Sequence, residues 1–592
     1  MHTRVTDIHA VMEAVFQQET RGILLEDAMV RFDRPGHTRE IAHLGYCHEG
    51  RHTAHYYTFG TMLGQLDERT GLEILRELAK LQITDTASPS YGGFRWYREE
   101  RQVNDTNAAF FILRPLVILA FTYPEVIPAS HWEVISQMLR HAGAWFSHEC
   151  REPILYYPNK IISDGAMLLA ISHLLHDETY LAEGIAFFEK WEDYTARRGW
   201  GWGENISLVY LAVILNALQV ASKVFAAHGH GLEARMQARI EEILNFLRFH
   251  DGQEMVPTIR SYNFAGETVR FDLAWAVAGV AKLEDVPVEM LTMNHLLMLL
   301  MFKDRLPEAL QAKPAVPRVR VDRVFDESAA YSWIGRTTRL GSLNRFPVIK
   351  GSYQWQDWGL GWQSFPVSFS VAGEQVSYLR WYVDLGDEVR THPGETYRVS
   401  YLKPALFRET YFPGVETRSA QHEHCLLTVR SMDAVNHHAA ELADEWVIHR
   451  FTGELAEIVT AAEGRTWYVL RYPHTAVAVT ALSGIRAGEA ARGPIAVTIE
   501  REAEPDRIKL RQVLWRGEAG TVQQPRLEAG WAVISLEAVP AEDIDAYLEQ
   551  VRIEDRSFAD GESPRTPSTY IRDITMKIGG RKAVHLQVDP YQ

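Results

Sequence analysis

From residue 71 to residue 302, apolar side chains recur three and four positions apart, the period of a helix with one buried face. The pattern predicts helices over 71–82, 106–122, 131–148, 163–176, 180–191, 206–227, 232–250, 271–283 and 288–302. Short stretches with turn chemistry, such as "LLHDET" and "AAHGHG", separate them. The helices also pair. A long polar and aromatic lead-in, a helix, a short turn and a second helix recur, with starts near Thr106, Ser163, Asn205 and Phe271. The spacing is loose, about 42 to 66 residues, without a consensus. A closed α/α toroid of helical hairpins accounts for this better than a solenoid built on a short repeat. In a toroid the inner helices start at one rim, so their lead-in loops gather around one cleft.

Near residue 315 the period changes from helical to alternating. "FPVSFSVAG", "YLRWYVDLG", "TWYVLRYP" and "WAVISLEAV" are rich in Val, Ile, Thr and aromatics and end in Gly, Asp or Pro turns. They predict an antiparallel β-sandwich, with a last hairpin through Gly579-Gly580. "QAKPAVPRVRVDR", with two prolines, reads as extended. The expected organisation is a toroid domain at 1–312, a linker at 313–323 and a β-sandwich domain at 324–592, an α+β multidomain chain.

Composition narrows the picture little. The chain has 592 residues, 46% hydrophobic and 23% charged, enough to bury more than one core without staples. Its three cysteines, Cys47, Cys150 and Cys425, form no CxxC pattern, so neither a disulfide framework nor a zinc site is expected. A formal charge of −16 gives no reason to expect nucleic acid or an anionic membrane as partner. The N-terminal stretch mixes Asp, Glu and Arg into its apolar positions and reads as an amphipathic helix, not a signal peptide. No run reaches the roughly 20 apolar residues of a membrane span. A cytoplasmic location is the expectation. No phosphate loop, nucleophile elbow or zinc-protease helix occurs, no terpene-cyclase acidic run follows "GGFRW", and no cofactor is expected.

Candidate chemistry concentrates in the lead-ins. "YGGFRWYREERQVNDTNAAFF" offers Arg95, Trp96, Tyr97, Asn104, Asp105 and Asn107. "EPILYYPNKIISDGA" offers Tyr156, Tyr157, Asn159, Lys160 and Asp164. "RRGWGWGENISLVYLAVILNAL" carries Trp200, Trp202, Glu204, Asn205, Ser207 and Tyr210, and "MVPTIRSYNFAGETVRFD" carries Arg260, Tyr262, Asn263 and Asp272. Asp105, Thr106, Ser163 and Asn205 stand where helix N-caps are expected, and capping alone explains any one of them. It does not explain Asn104 and Asn107 on either side of Asp105. Glu204, Ser207 and Tyr210 align on one stripe at the start of a helix, although a core tyrosine with a satisfied hydroxyl is the plainer account of Tyr210. Trp96, Tyr97, Trp200 and Trp202 lie in polar loops. Rings there either plug gaps between helices or present a face to a sugar.

The β half adds Tyr353, Trp355, Trp358 and Trp362, which suit an inter-sheet core or an aromatic face over the cleft, and a polar turn with Arg390, His392, Tyr397 and Tyr401. His422 and His424 in "QHEHCLL" share a strand face, but without a third ligand they read as a solvated edge, and no metal site is assigned.

This layout, with Asn, Tyr, Arg and Trp at helix entrances, resembles the polysaccharide lyases of the heparinase II/III, chondroitin AC and alginate lyase type. "SYGGFRWYREERQVNDTNAAFF" and "ENISLVYLAVILNAL" look closest to uncharacterised bacterial members. The heparinase families carry a His-Gly-His-Ala-Asp-like segment in the β-domain, whereas "QHEHCLLTVRS" in the comparable region lacks the glycine and the aspartate. The resemblance implies β-elimination on a uronic-acid-containing poly- or oligosaccharide. That chemistry needs a neutraliser for the uronate carboxylate, a base and an acid. Asn104, Asn107, Asn159, Asn205, Arg95 and Arg260 suit the first role; Tyr157, Tyr210 and Tyr262 suit the others. Two alternatives stand beside it. One is an inverting glycoside hydrolase using Asp105 and Glu204, with Asp164 and Asp272 as spares; the other is a non-catalytic glycan-binding protein.

Overall fold

Helices, most of them with an apolar face, fill the first half of the chain, and antiparallel strands fill the second. The structure is a computed structural model and describes all residues except 1–7, 24, 34, 36–37, 39, 42, 202, 260–272, 308–309, 347–364, 373–375, 385–414, 450, 452, 503–506, 558–570 and 590–592. Two compact units result. One comprises Met1–Asn205, Val209–Gly252 and Val269–Lys313; the other comprises Ile206–Leu208, Gln253–Thr268 and Pro314–Gln592. Short segments of the helical half therefore belong with the strands.

The helical unit holds α1 (Ile8–Thr20), α2 (Gly50–Met62), α3 (Glu68–Ala79), α4 (Ala108–Thr122), α5 (Ala129–Arg151), α6 (Pro158–Leu175) and α7 (Glu178–Arg198). After these come α8 (Leu208–Ala227), α9 (Leu232–His250), α10 (Leu273–Val277) and α11 (Met293–Phe302). Helices α2, α4 and α6 pack side by side, and α3, α5, α7 and α9 form a second row. A small sheet of β1 (Leu25–Glu26), β2 (Met29–Phe32) and β3 (Cys47–His48) precedes α2.

Three differences from the periodicity are informative. Helix α2 has no clean apolar stripe because its buried face includes Thr53, His55, Thr58 and Gly60. Helix α6 begins five residues before Ser163, with Tyr157 at its N-cap and Pro158 in its first turn, where a missing N–H costs nothing. Ser163 is thus an interior helical residue, not a cap. The run expected as one helix at 288–302 divides into a 3-10 turn (Val288–Met290) and α11, whose cap Thr292 exchanges hydrogen bonds with His295.

The membrane reading also needs a correction. Val209–Ala227 is long and apolar enough to cross a bilayer, but 72% of the apolar window within it is buried in the protein. It also buries Asn216, Gln219 and Ser222. Gln237 of α9 donates to Ser222 Oγ. This is a mostly buried core helix of the unit, with polar side chains inside it.

Among the described residues of the β unit, one antiparallel sheet of twelve strands runs from β4 (Arg318–Phe325), β5 (Ser328–Ile334), β6 (Thr338–Leu343), β7 (Val367–Val371) and β8 (Ser377–Asp384) to β10 (Cys425–His449). It continues through β15 (Arg507–Ser535), β13 (Thr475–Ala481), β12 (Thr466–Tyr472) and β11 (Glu454–Val459), while β9 (Val415–His422) pairs with β10 and β14 (Val497–Glu502) with β15. The stretch expected as a linker thus ends in strand β4. Strands β10 and β15, 25 and 29 residues long, pair along their length and join the two halves of the sheet. The halves share a core in which Trp333, Leu340 and Phe369 meet Leu470, Val477 and Trp531. The opposite face of β10, β12, β13 and β15 is covered by a three-stranded sheet of β16 (Val551–Ser557), β17 (Arg572–Ile578) and β18 (Arg581–Val588), through Ile553, Ile574, Met576 and Leu586. The sandwich read from alternation is one sheet folded over itself, with a second small sheet behind.

Buried charge stitches these layers. Glu528 of β15 is fully buried and accepts from Arg492, Arg526 (2.7 Å) and Arg572 of β17 (2.9 Å). Burial alone would raise its carboxyl, but the three guanidinium groups outweigh that and hold it at about 2. Its stabilisation is complete above the ordinary carboxyl value of 4.5 and is lost as pH falls towards 2. Glu528→Gln therefore lowers stability by about 3–5 kcal/mol at pH 7. In urea unfolding the difference between the two proteins shrinks as pH falls from 4.5 to 2.

Candidate functional site

The first lead-in is fastened before it reaches α4. Phe94 and Tyr97 form isolated bridges to Gln82 and Glu49, and Gly50 N donates to Trp96 O at 2.8 Å. Gly92 sits at φ +85°, and a Cβ there would collide with the His141 carbonyl. Trp96 and Tyr97 are consequently buried, with Trp96 tilted on Phe111 at 5.4 Å. Arg95 spends its guanidinium on the carbonyls of Lys80 (2.6 Å), Arg98 (3.0 Å) and Glu100. These three expected substrate contacts are instead interior packing and carbonyl capping.

Asn104 is exposed, but its amide nitrogen donates to Glu40 and to buried Glu100, each at 3.0 Å. Burial raises the Glu100 carboxyl, and the bonds from Asn104 and the Tyr97 backbone oppose that rise. Asp105 Oδ1 accepts from Asn107 N at 2.9 Å, so Asp105 turns the chain while Asn107 occupies the N-cap of α4 without a side-chain cap bond.

With its side chain uncommitted to capping, Asn107 faces the second lead-in. Its Nδ2 donates to Tyr157 Oη at 3.4 Å, and its Oδ1 is buried without a partner. Two residues on, Asn159 reaches the third lead-in. Its backbone N and its Nδ2 donate to the two carboxylate oxygens of Glu204, at 2.7 and 2.6 Å. Glu204 is fully buried and lies in a 3-10 turn (Glu204–Ile206) ahead of α8. It therefore serves as an N-terminal cap for α6, supplied by a different segment, and its negative charge sits favourably at the positive end of that helix. The close approach of these segments depends on Gly201 at φ +75°, where a Cβ would stand 2.6 Å from Tyr156 Cα. Three lead-ins thus meet through Asn107, Tyr157, Asn159 and Glu204.

Beneath this line, Lys160 is buried and binds Asp164 Oδ2 at 2.6 Å and Glu149 Oε2 at 2.7 Å. Burial would pull its ammonium down, but the two carboxylates hold it above the usual lysine range. The Asp164 carboxyl is raised to about 7 by burial, with Lys160 opposing the rise and Glu149 adding to it. Asp164 Oδ1 and Ser163 Oγ have no partner.

The remaining candidates divide. Trp200 is a core residue, bonded through Nε1 to Glu242 (2.8 Å) and edge-on to Trp191. Asn205 and Ser207 are buried, and Tyr210 is half-buried on α8. Because α8 starts only at Leu208, the expected single helical stripe through Glu204, Ser207 and Tyr210 is broken by the 3-10 turn. Trp202, Arg260, Tyr262, Asn263 and Asp272 lie outside the described residues, as do Tyr353, Trp355, Trp358, Trp362, Arg390, His392, Tyr397 and Tyr401. No group of three or more metal-ligating side chains occurs among the described residues.

Sequence reasoning passed over one polar cluster. Arg114, inside the apolar run of α4, is buried and donates to Asn294 of α11 (2.5 Å); among the described residues its Nε and Nη1 have no partner. The guanidinium carbons of Arg114 and Arg51 both lie near the Phe111 ring, 5.1 and 5.7 Å from its centroid. Burial, with Arg51 adding, lowers the Arg114 guanidinium to about 9. A single arginine in twelve apolar residues was the available signal.

The heparinase III crystal structure superposes on 99% of this chain and 92% of its own, with a TM-score of 0.51 and 10% identity. The chain has the heparinase III fold. A heparan sulfate lyase mutant from Pedobacter heparinus aligns over 90% of this chain and 82% of its own (TM-score 0.36, 12% identity). Another heparinase III aligns over 99% and 90% (TM-score 0.37, 10% identity). No protein-family model and no curated protein matches the sequence.

Asp164 supplies a pH test. Its carboxyl stays protonated in the folded state up to about 7 but ionises near 3.8 when unfolded. Its contribution to stability is therefore full below 3.8 and falls as pH rises through 7. Asp164→Asn keeps the neutral form, so its stability relative to the native protein rises, on the order of 4 kcal/mol, between pH 4 and 8. Urea unfolding across that range measures it. Separately, Glu204→Ala leaves two buried donors of Asn159 unmatched and costs about 2–5 kcal/mol, read as a lowered Tm.

Proposed function

We propose that this chain is a polysaccharide lyase that cleaves a uronic-acid-containing poly- or oligosaccharide by β-elimination at the meeting of the first three lead-ins. The observation that carries this reading is the Asn107–Tyr157 contact, an amide beside a phenol where α4 and α6 begin. The fold of heparinase III supports it. In this reading the helical unit closes as a toroid, in keeping with the packing of α11 on α1, α2 and α4.

The chemistry follows from the residue types. The proton next to a uronate carboxylate becomes removable when donors take up the charge that develops on the carboxylate oxygens. Asn107 fills that role, with Asn205 as the second amide at the third lead-in. Tyr157 takes the proton and Tyr210 returns one to the departing glycosidic oxygen. The C–O bond breaks as the new C=C bond forms, so no water is consumed. Asn159 and Glu204 position the start of α6 and with it Tyr157.

A hydrolase needs two carboxyls free to act on opposite sides of the sugar. Both oxygens of Glu204 already accept from Asn159 inside the protein, which favours elimination over hydrolysis. Incubation with a panel of uronate polymers is expected to release an unsaturated, ultraviolet-absorbing product. Tyr157→Phe should lower kcat by about 10²–10⁴-fold while costing only about 1 kcal/mol of stability, the worth of one buried hydrogen bond. New reducing ends without unsaturation would establish the hydrolase instead, and binding without turnover would establish a glycan-binding protein.

A further inference from the structure

The β unit contains a cavity of about 580 Å³ that the proposed reaction does not use. Its floor is Trp333 of β5, whose ring centroid lies 6.0 Å from that of His424. One wall is a single face of the 3-10 turn Ala541–Asp543 and the following helix α12 (Ile544–Leu548), which presents Asp543, Ala546, Tyr547 and Gln550. The rim is the tight turn between β9 and β10, made by Glu423 and His424.

This turn is built at a cost. Glu423 has φ +48°, a left-handed conformation that favours glycine, and Tyr331 Oη accepts from its backbone N at 2.9 Å to hold it there. The conformation sets the carboxylate and the His424 imidazole together at the mouth of the cavity, 4.0 Å apart. Burial lowers His424 below its usual range against the pull of Glu423 and Glu537, which keeps the imidazole neutral. Ser535, buried at the end of β15, lines the cavity with an Oγ that has no partner.

The lining contains three carboxylates and no lysine or arginine. Glu537 is spent internally, since it accepts from the backbone N of Arg336, Thr337 and Thr338 at 3.0–3.1 Å. Glu423 and Asp543 remain as acceptors, together with Ser535, Gln550 and the two rings. A ligand for this cavity has to bring hydrogen-bond donors, a flat apolar face and no negative charge. We infer that the cavity is a binding pocket for an uncharged sugar unit, whose C–H face packs on the half-buried rings of His424 and Tyr547, above Trp333, while its hydroxyls donate to Glu423 and Asp543. The volume is within the range of small-ligand sites. The proposed lyase site takes an anionic sugar and this pocket an uncharged one, so the pocket is a separate carbohydrate contact and stands whether or not that site performs elimination.

The test uses the full chain, titrated with methyl glucoside, cellobiose, glucuronate and glucosamine and followed by tryptophan fluorescence and saturation-transfer NMR. Saturable binding of the uncharged sugars at millimolar concentration is expected, with glucuronate at least about tenfold weaker, or 1.4 kcal/mol. Glu423→Gln and Asp543→Asn, both at exposed positions, should weaken the uncharged sugars and narrow the gap to glucuronate. No saturation by any uncharged sugar, an unchanged affinity in both variants, or glucuronate binding as tightly as glucoside would each overturn the assignment. Glucosamine binding more than about tenfold tighter than glucoside would overturn it in favour of a cation site.

Discussion

A buried carboxylate has to be fully satisfied, and at the helix entrances that requirement joins segments far apart in sequence. Glu204 is withdrawn from water and answered by two donors of one residue, Asn159. Leaving it unpaired would cost several kcal/mol, so the third lead-in has few other places to lie. Its position starts α6 at Pro158, and the start of α6 puts Tyr157 within reach of Asn107. The candidate site is in this sense a by-product of capping a helix with a residue from another segment.

The same logic operates in the β unit on a larger scale. Glu445 lies between Arg380 and Arg511, each at 2.6 Å, and Asp444 is 3.0 Å from Arg430, all of them buried. These pairs run along β8, β10 and β15, where two very long strands carry one sheet into two layers. Apolar alternation alone leaves the register of such strands weakly specified, because a shift by two residues preserves the pattern. A shift here would bury unpaired charge, so the ion pairs select one register.

Function divides along similar lines. The aromatics that looked most like sugar contacts, Trp96, Tyr97 and Trp200, are interior; Tyr157 is buried too, but its hydroxyl faces Asn107 across two lead-ins. Aromatics in a loop announce burial as readily as recognition, since both exploit the same apolar area. The cavity at Trp333 was invisible for a related reason. It is assembled from one strand, one turn and one helix face separated by more than two hundred residues, and only its histidine drew notice as half of an incomplete pair.

From the sequence alone, the period of apolar residues determined where most helices and strands lie, where the chain changes class, and that polar side chains gather ahead of the helices. Those are local properties, set by 3.6-residue and two-residue repeats. It missed α2, whose buried face is too polar to show a period, and misplaced the start of α6 and the limits of the last helices. Only the tertiary structure decided which polar residues are spent on packing, as Arg95 and Trp200 are, and which meet across segments, as Asn107 does with Tyr157. The physical reason is that a hydrogen-bond donor has the same identity in sequence whether it caps a carbonyl, balances a buried carboxylate or faces a ligand. Its surroundings assign the role, and those come from residues that the chain brings together only on folding.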